Sequence, residues 1–580
     1  MTKMTINHLI FCAFLSTGLV EALDNGFGRT PIMAFNTYNV AACTINQTWV
    51  RDTINNFVNM GFASVGYKQF GLDCGWQGKQ RQSNGSIDYD RDVFPDGIKP
   101  LSDLAISKGL LWGMYTDQGK FACDTIGPQR VGSVGFERED ALQLAGWNTA
   151  YLKVDNCYID GPNNNAPKNP RDDFKSRFGA MQNALSAVGI KGMLVCQWGV
   201  PYTNSSGLLY GPSEWTPPLA TSYRMSDDIA RGWGNIMRIY NQNIHIAQND
   251  LTGPGRFADM DLLEVGNPGM TSAEQATHFA AWAFMKSPLI ISTRLPVRAL
   301  RRSEPGNSFI SLPALTFEQE MTNEVKAILQ NTRIIAINQD SLGKPVKLAR
   351  RFSLDNDQFQ GPLANGDIAI LLVDQSNAQR SLGVEFPDYG ISSATVTNLW
   401  TGETISNTNR YFTTVQAHGS VPLRLSNIVR SNVPAPTLRY YEAEAAQVAG
   451  NANVQSCSGC SGGQKVGYIG NGASNTLTFN NVITSQATQD VRFDYIDCEI
   501  GYLYDGGYGN VRGASISVNG GAAQSVVFPL SGYEWSKDVY KSFLVRLSGF
   551  RTSGSNTITI SGLSSVSPYA PDIDRIGVIA

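Results

Sequence analysis

The sequence predicts a (β/α)8 TIM barrel, followed by an antiparallel β-sandwich domain and a C-terminal β-sandwich. Three observations carry this. Between about residues 30 and 300, short apolar runs alternate with helix-length amphipathic stretches, the pattern of repeated βα units. After about residue 345 the helical periodicity gives way to alternating strand patterns. Beyond Pro434-Ala435-Pro436 the chain is rich in Gly, Ser, Asn, Thr and Val, with frequent turn signals. A chain of 580 residues is also too long for one ordinary domain. The expected division is 1–22 leader, 23–345 barrel, 346–428 antiparallel β domain, 429–438 linker and 439–580 second β unit.

The eight strand candidates are Pro31-Ile32-Met33-Ala34-Phe35, Tyr67 to Leu72, Leu110 to Tyr115, Ala150 to Val154, Gly192 to Cys196, Ser222 to Met225, Arg256 to Asp259 and Pro288 to Ile291. Trp49 to Met60 and Asp172 to Val188 place apolar residues three and four apart, as in a helix with one buried face. A doubly wound open sheet is the alternative. It is disfavoured by the lack of a glycine-rich phosphate loop after the first strand. In the next domain, Ile368 to Val373 and Ser393 to Thr397 are strands without intervening helices.

At the N-terminus, Lys3 precedes the apolar run Leu9 to Leu15, and Val20-Glu21-Ala22 has the form of a cleavage site. The run is too short to span a bilayer, and no later apolar run is long enough. The expected product is secreted and starts near Leu23. Sequons at Asn46, Asn84 and Asn204 agree with a secretory route. Cys12 leaves with the leader, so eight cysteines enter an oxidising compartment. With four histidines and no zinc-type Cys/His spacing, disulfides are a better reading than metal ligation. Cys457 and Cys460 form a tight Cys-Ser-Gly-Cys. Net charge is −3 with no basic run, so neither nucleic acid nor a membrane is an expected partner. No feature speaks to oligomeric state.

Most strand candidates end in a polar or aromatic residue: Tyr38, Asp73, Asp117, Asp155, Trp198, Asp228 and Asp261. In a barrel these ends converge on one mouth. Any single acid there has the alternative duty of capping the next helix, but the whole set is hard to explain by capping. Two of the acids suit glycoside hydrolysis with retention, which needs carboxyls about 5–5.5 Å apart. One attacks the anomeric carbon and the other protonates the leaving oxygen. Asp155 closes one strand candidate, and Lys153, two residues earlier, shares its face. A cation there is expected to lower the Asp155 pKa. Asp228 follows the strand two further on, and alternate strands contribute to the same barrel layer.

From Arg29-Thr30-Pro31 through Ile335 to Asp340, the chain resembles the family 27 glycoside hydrolases, typified by α-galactosidases. The resemblance implies that the aspartate of Lys153-Val154-Asp155-Asn156-Cys157 is the nucleophile. It makes the acid/base Asp228, four residues after Arg224, rather than Asp227. It pairs Cys43 with Cys74 and Cys123 with Cys157. It assigns Asp73 and Lys153 to the O3/O4 edge of the sugar and Arg224 to O2, with Cys196 and Trp198 nearby. Tyr38 would pack against the ring, and Tyr115 and Asp261 would line the pocket. A buried free thiol is the alternative for Cys196, and core packing for Tyr38 and Trp198.

Most members of that family carry two adjacent aspartates before the second-strand cysteine, whereas this chain has Leu72-Asp73-Cys74. The missing carboxylate serves the sugar's C6 hydroxyl, and losing a charged hydrogen bond costs about 1.5–3 kcal/mol. Leu72 is therefore expected at the sugar. It raises β-L-arabinopyranose, which has no C6 group, as a second glycone behind α-galactose. Gln197, Phe35, Ala258 and Met260 also depart from the family pattern.

Tyr441-Glu442-Ala443-Glu444, Gly467 to Gly470 and Asp572-Ile573-Asp574-Arg575-Ile576 resemble family 35 carbohydrate-binding modules. That resemblance implies a structural Ca²⁺ held by Glu442, Glu444 and Asp574, with hard oxygen ligands from both chain ends. Surface acids are the alternative. Tyr502, Tyr504, Tyr508 and Trp535 are candidate sugar platforms, with core or rim packing as likely a role. No cofactor is expected for catalysis, and the expected partners are galactose-containing oligo- or polysaccharides. Two other classes compete: a non-catalytic sugar-binding protein, which the paired Asp155 and Asp228 argue against, and a metal-dependent hydrolase, for which no His/carboxylate cluster exists.

Overall fold

The computed structural model describes residues 22–296, 321–352, 356–433, 436–501 and 509–580. The expected leader, the Pro434-Ala435 part of the linker and the candidate platforms Tyr502, Tyr504 and Tyr508 lie outside these residues. Eight parallel strands form one curled sheet: β1 Met33–Asn36, β2 Gln69–Gly71, β3 Leu111–Asp117, β4 Thr149–Asp155, β5 Gly192–Val195, β6 Ser222–Arg224, β7 Phe257–Asp259 and β8 Leu289–Ile291. Each strand from β1 to β6 pairs with the next, and β8 pairs with β1. Past β7, Leu263 forms a parallel bridge to Ile291 and brings the two ends of the sheet together. All eight expected strands are present in barrel order.

Helices return the chain between strands: α1 Gln47–Asn59, α2 Lys99–Ser107, α3 Glu137–Gly146, α4 Phe174–Ala187, α5 Trp233–Gln248 and α6 Ser272–Phe284. Helix α1 starts where the Asn46 side chain accepts the Trp49 N–H, and it buries Trp49, Val50, Ile54 and Phe57. Helix α6 opens with a reciprocal cap between Thr271 and Glu274. Phe35, Phe70 and Trp112, from three neighbouring strands, stack in the core.

The middle domain is antiparallel. Its main sheet contains β9 Lys347–Phe352, β10 Asn356–Pro362, β11 Ile368–Asp374 and Ser420–Arg430, with Arg380–Glu385 paired to Arg410–Val415 beside it. The final strand reaches Arg430, so the chain stays in the sheet past the expected boundary at 428. Residues 438–579 form two further antiparallel layers, one of five strands and one around Asp572–Ile579.

This second sandwich is not a bead on a linker. Arg351 of β9 pairs in parallel with Val545, which makes one layer continuous with the middle-domain sheet. At this joint Arg351 lies against Asp357, at 2.6 and 2.7 Å, and also donates to Asn241 Oδ1 of α5 and to the Val527 carbonyl.

Candidate active site

The C-terminal ends of the curled strands bring the expected residues to one rim. Strand alternation puts Lys153 and Asp155 on the same face of β4. The Lys153 ammonium is 3.0 Å from Asp73 Oδ2 and lies 5.4 and 5.2 Å from the ring centres of Tyr38 and Tyr115. Asp73 is itself fixed: Asn36 Nδ2 donates to its Oδ2 at 2.8 Å, and its N–H donates to Thr37 Oγ1. Burial works against the Lys153 charge, but Asp73 and the surrounding acids hold its pKa well above the usual lysine value. Tyr115 is clamped where its hydroxyl accepts the Cys123 N–H at 3.0 Å.

Asp155 is almost fully buried, and the Asn156 N–H donates to its Oδ1 at 3.0 Å. Burial pushes its pKa up to about 6. Lys153 opposes the rise, while Asp228 and Asp73 add to it. The sequence expectation that lysine would hold this carboxyl low is therefore corrected: desolvation outweighs one cation. Neighbouring Asp117 accepts the Cys157 N–H with both oxygens and is pushed well above the carboxylate range by burial, then by Asp155.

Across the rim, buried Arg224 ends β6. Its Nη2 is 2.8 Å from Asp261 Oδ2 and 3.0 Å from Asp228 Oδ1, and its Nη1 donates to Cys196 Sγ at 3.6 Å. The Arg224 Nε is buried without a partner. The Asp228 side chain is 69% exposed, so it can meet both solvent and an aglycone. Asp227 turns away and is paired with Arg238 of α5, which leaves Asp228 as the acid at the rim. Trp198 (φ 56°) and Asp261 (φ 76°) adopt left-handed backbone, rare for such residues and found where function over-determines the chain.

Cys196 is a buried free thiol whose sulfur accepts from Arg224 Nη1. Tyr38 is the exposed wall at 37%, and burial of its hydroxyl raises it to about 12. Leu72 corrects an expectation. It has no exposed surface and belongs to the core cluster of Phe35, Phe70 and Trp112. The pleat puts it with Phe70 and turns Asp73 the other way, so Leu72 does not face the sugar site.

Asn36, Thr37, Asp259 and Arg238 also build the site and were not singled out from sequence. Asp259 accepts the Asp261 N–H at 2.8 Å and is pushed up to about 7 by burial and by Asp261. Asn36 closes β1, so the strand-end rule that found Asp155 applies equally to it.

The disulfides Cys43–Cys74, Cys123–Cys157 and Cys457–Cys460 are all present. The sulfurs of Cys123 and Cys157 lie near Asp117 and Asp155 but are bonded to each other, so they offer no thiolate to a metal. In the C-terminal sandwich, Glu442 accepts Ser461 Oγ at 3.0 Å and Asp574 accepts the Ser461 N–H. Glu442 Oε2 and Glu444 Oε2 are buried without partners. Asp574 is pushed up to about 7, by burial first and then by Asp494 and Glu442. Trp535 carries the Arg512 guanidinium 4.6 Å over its ring.

A buried carboxyl and an exposed one, flanked by a lysine–aspartate and an arginine–aspartate pair at the mouth of a curled parallel sheet, define a glycosidase-type site. Residues 36–304 match the family model "Alpha galactosidase A", and 355–425 match "Alpha galactosidase C-terminal beta sandwich domain". In these two segments the chain is similar to the α-galactosidases among the glycoside hydrolases. The "probable alpha-galactosidase D" of Aspergillus niger is 35% identical over 434 residues, 72% of this chain and 61% of that protein. Its namesake in Aspergillus fumigatus is 29% identical over 90% of both chains. The crystal structure of alpha-galactosidase I from Mortierella vinacea superimposes with a TM-score of 0.59, at 28% identity, over 70% of this chain and all of that one.

Proposed function

We propose that this protein is a secreted retaining glycosidase that removes terminal non-reducing α-D-galactosyl residues from oligo- or polysaccharides. The observation that carries the reading is the convergence of Asp155 and Asp228 on one rim, close enough for Asp228 to raise the Asp155 pKa. In the first step Asp155, ionised, attacks C1 from one face of the sugar. The C1–O bond breaks while Asp228 gives its proton to the departing oxygen, which leaves a galactosyl ester on Asp155. In the second step Asp228 takes a proton from water, the hydroxyl oxygen bonds to C1, and the Asp155 ester is released. The two substitutions return the original anomeric configuration.

The exposed position of Asp228 suits both the proton transfer and the entry of water. The Lys153–Asp73 pair supplies a donor and an acceptor for O3 and the axial O4. Arg224, held between Asp228, Asp261 and Cys196 on the other side of the rim, is the candidate partner of O2. The arabinopyranoside alternative rests on the carboxylate that Leu72 replaces; the named alpha-galactosidases among the relatives favour galactose over it. Asp155→Asn should abolish hydrolysis of p-nitrophenyl α-galactoside with the circular dichroism spectrum unchanged. Retained turnover, or faster wild-type cleavage of the β-L-arabinopyranoside, overturns the reading.

The C-terminal sandwich is proposed as a family 35-like carbohydrate-binding module with Ca²⁺ held by Glu442, Glu444 and Asp574. The two partnerless carboxylate oxygens of Glu442 and Glu444, with Asp574 beside them at Ser461, are the hard oxygen donors that Ca²⁺ takes. Calcium there would tie the first strand of the module to its last and take no part in hydrolysis.

A further inference from the structure

The sugar-cleaving rim and the C-terminal sandwich meet at one buried network. The Met225 carbonyl, one residue past Arg224 and three before Asp228, accepts two hydrogen bonds. One comes from Gln242 Nε2 of α5 at 2.7 Å, the other from the Tyr533 hydroxyl of the C-terminal sandwich at 3.3 Å. Gln242 Nε2 also lies 3.2 Å from the Tyr533 hydroxyl. From the same sandwich, Asn510 Nδ2 donates to Gln242 Oε1 at 3.1 Å and to the Arg238 carbonyl at 3.0 Å. Arg238 in turn pairs with Asp227 and donates to the Asp228 carbonyl at 3.1 Å. Gln242, Asn510 and Tyr533 are essentially inaccessible to solvent.

Tyr533 is locked in this pose. Its N–H donates to Asp538 Oδ2 at 2.8 Å, and Lys537 bridges Asp538 to Glu214 of the barrel. A Cβ on Gly211 would fall 2.3 Å from the Tyr533 ring, so the ring rests directly on barrel backbone. Among the described residues Asp228 has a single side-chain hydrogen-bond partner, Arg224, and its side chain is 69% exposed. The position of its carboxyl therefore depends on the backbone from Met225 to Asp228, which the module grips from below.

We infer that the C-terminal sandwich is part of the catalytic machinery at one remove: Tyr533 and Asn510 are positioning residues that set where the acid/base Asp228 stands. The inference rests on the proposed role of Asp228. A misplaced general acid slows the departure of poor leaving groups, which need the proton, and spares good ones, which do not. A shift of about 1 Å can cost up to about a hundredfold.

The test compares kcat/KM for methyl α-galactoside and 2,4-dinitrophenyl α-galactoside in the full chain, with Tyr533→Phe and Asn510→Ser. The expected result is a fall on the order of tenfold for the methyl glycoside and no significant change for the dinitrophenyl one. An equal fall on both substrates, or none on either, overturns the inference. If one variant fails to fold, the other decides. Wild-type protein inactive on both glycosides would instead sink the galactosidase reading on which the role of Asp228 rests.

Discussion

Replacing Asp357 with alanine removes the acid that neutralises Arg351 at the meeting of the three domains. The pair is doubly bonded, at 2.6 and 2.7 Å, with side chains 1% and 0% exposed. Asp357 also accepts the Tyr240 hydroxyl at 2.6 Å and Gln375 Nε2 at 2.7 Å. Without it, the guanidinium is buried with only the neutral acceptors Asn241 Oδ1 and the Val527 carbonyl among the described residues. Breaking a buried pair from one side costs about 3–5 kcal/mol, and the stranded Tyr240 hydroxyl places this case in the upper part of that range. Urea unfolding followed by tryptophan fluorescence measures the loss, with a second probe to check that the transition stays cooperative. The double variant Arg351→Met/Asp357→Leu, which strands no charge, should recover most of it. A loss below about 1 kcal/mol, the size of an exposed ion pair, refutes the argument that this joint is dry and charge-balanced.

The raised carboxyls have opposite consequences for rate and stability. Hydrolysis needs Asp155 ionised, so kcat/KM should rise with pH through about 6; an acid limb near 4 would show that burial does not dominate. Asp155, Asp259 and Asp497 keep protons up to about 6, 7 and 7 in the folded chain, against about 3.9 unfolded. The folded state thus binds more protons between those limits, and the stability these groups contribute is lost as pH rises from about 4 to about 7. Unfolding midpoints from pH 5 to 7.5 check this, and Asp497→Asn should flatten the slope. For the calcium proposal, Ca²⁺ should raise Tm in the wild type and not in Glu442→Gln/Asp574→Asn, with kcat unchanged; an equal rise in both would place any calcium elsewhere.

The eight strands were legible because each is a local apolar burst closed by a polar residue. The proposed catalytic pair rests on the same kind of signal: Lys153-Val154-Asp155 and Arg224 to Asp228 are short motifs at strand ends. What the sequence hid depends on balance or distance. That burial beats Lys153 at Asp155 is a sum over the whole surrounding shell. The side to which Leu72 points follows from the pleat at Gly71-Leu72-Asp73, and the family comparison obscured it. The joining of the two sandwiches through Arg351 and Val545, and the reach of Tyr533 to Met225, bring together residues far apart in the chain with no local signature. The expected linker at 429–438 was a reading of composition, which says nothing about docking.

The anomeric form of the sugar first released tests the central claim most directly. Proton NMR during the first minutes of hydrolysis, before mutarotation, should show α-galactose, as two successive displacements at C1 through Asp155 require. β-Galactose as the initial product would mean a single displacement by water, and no covalent role for Asp155.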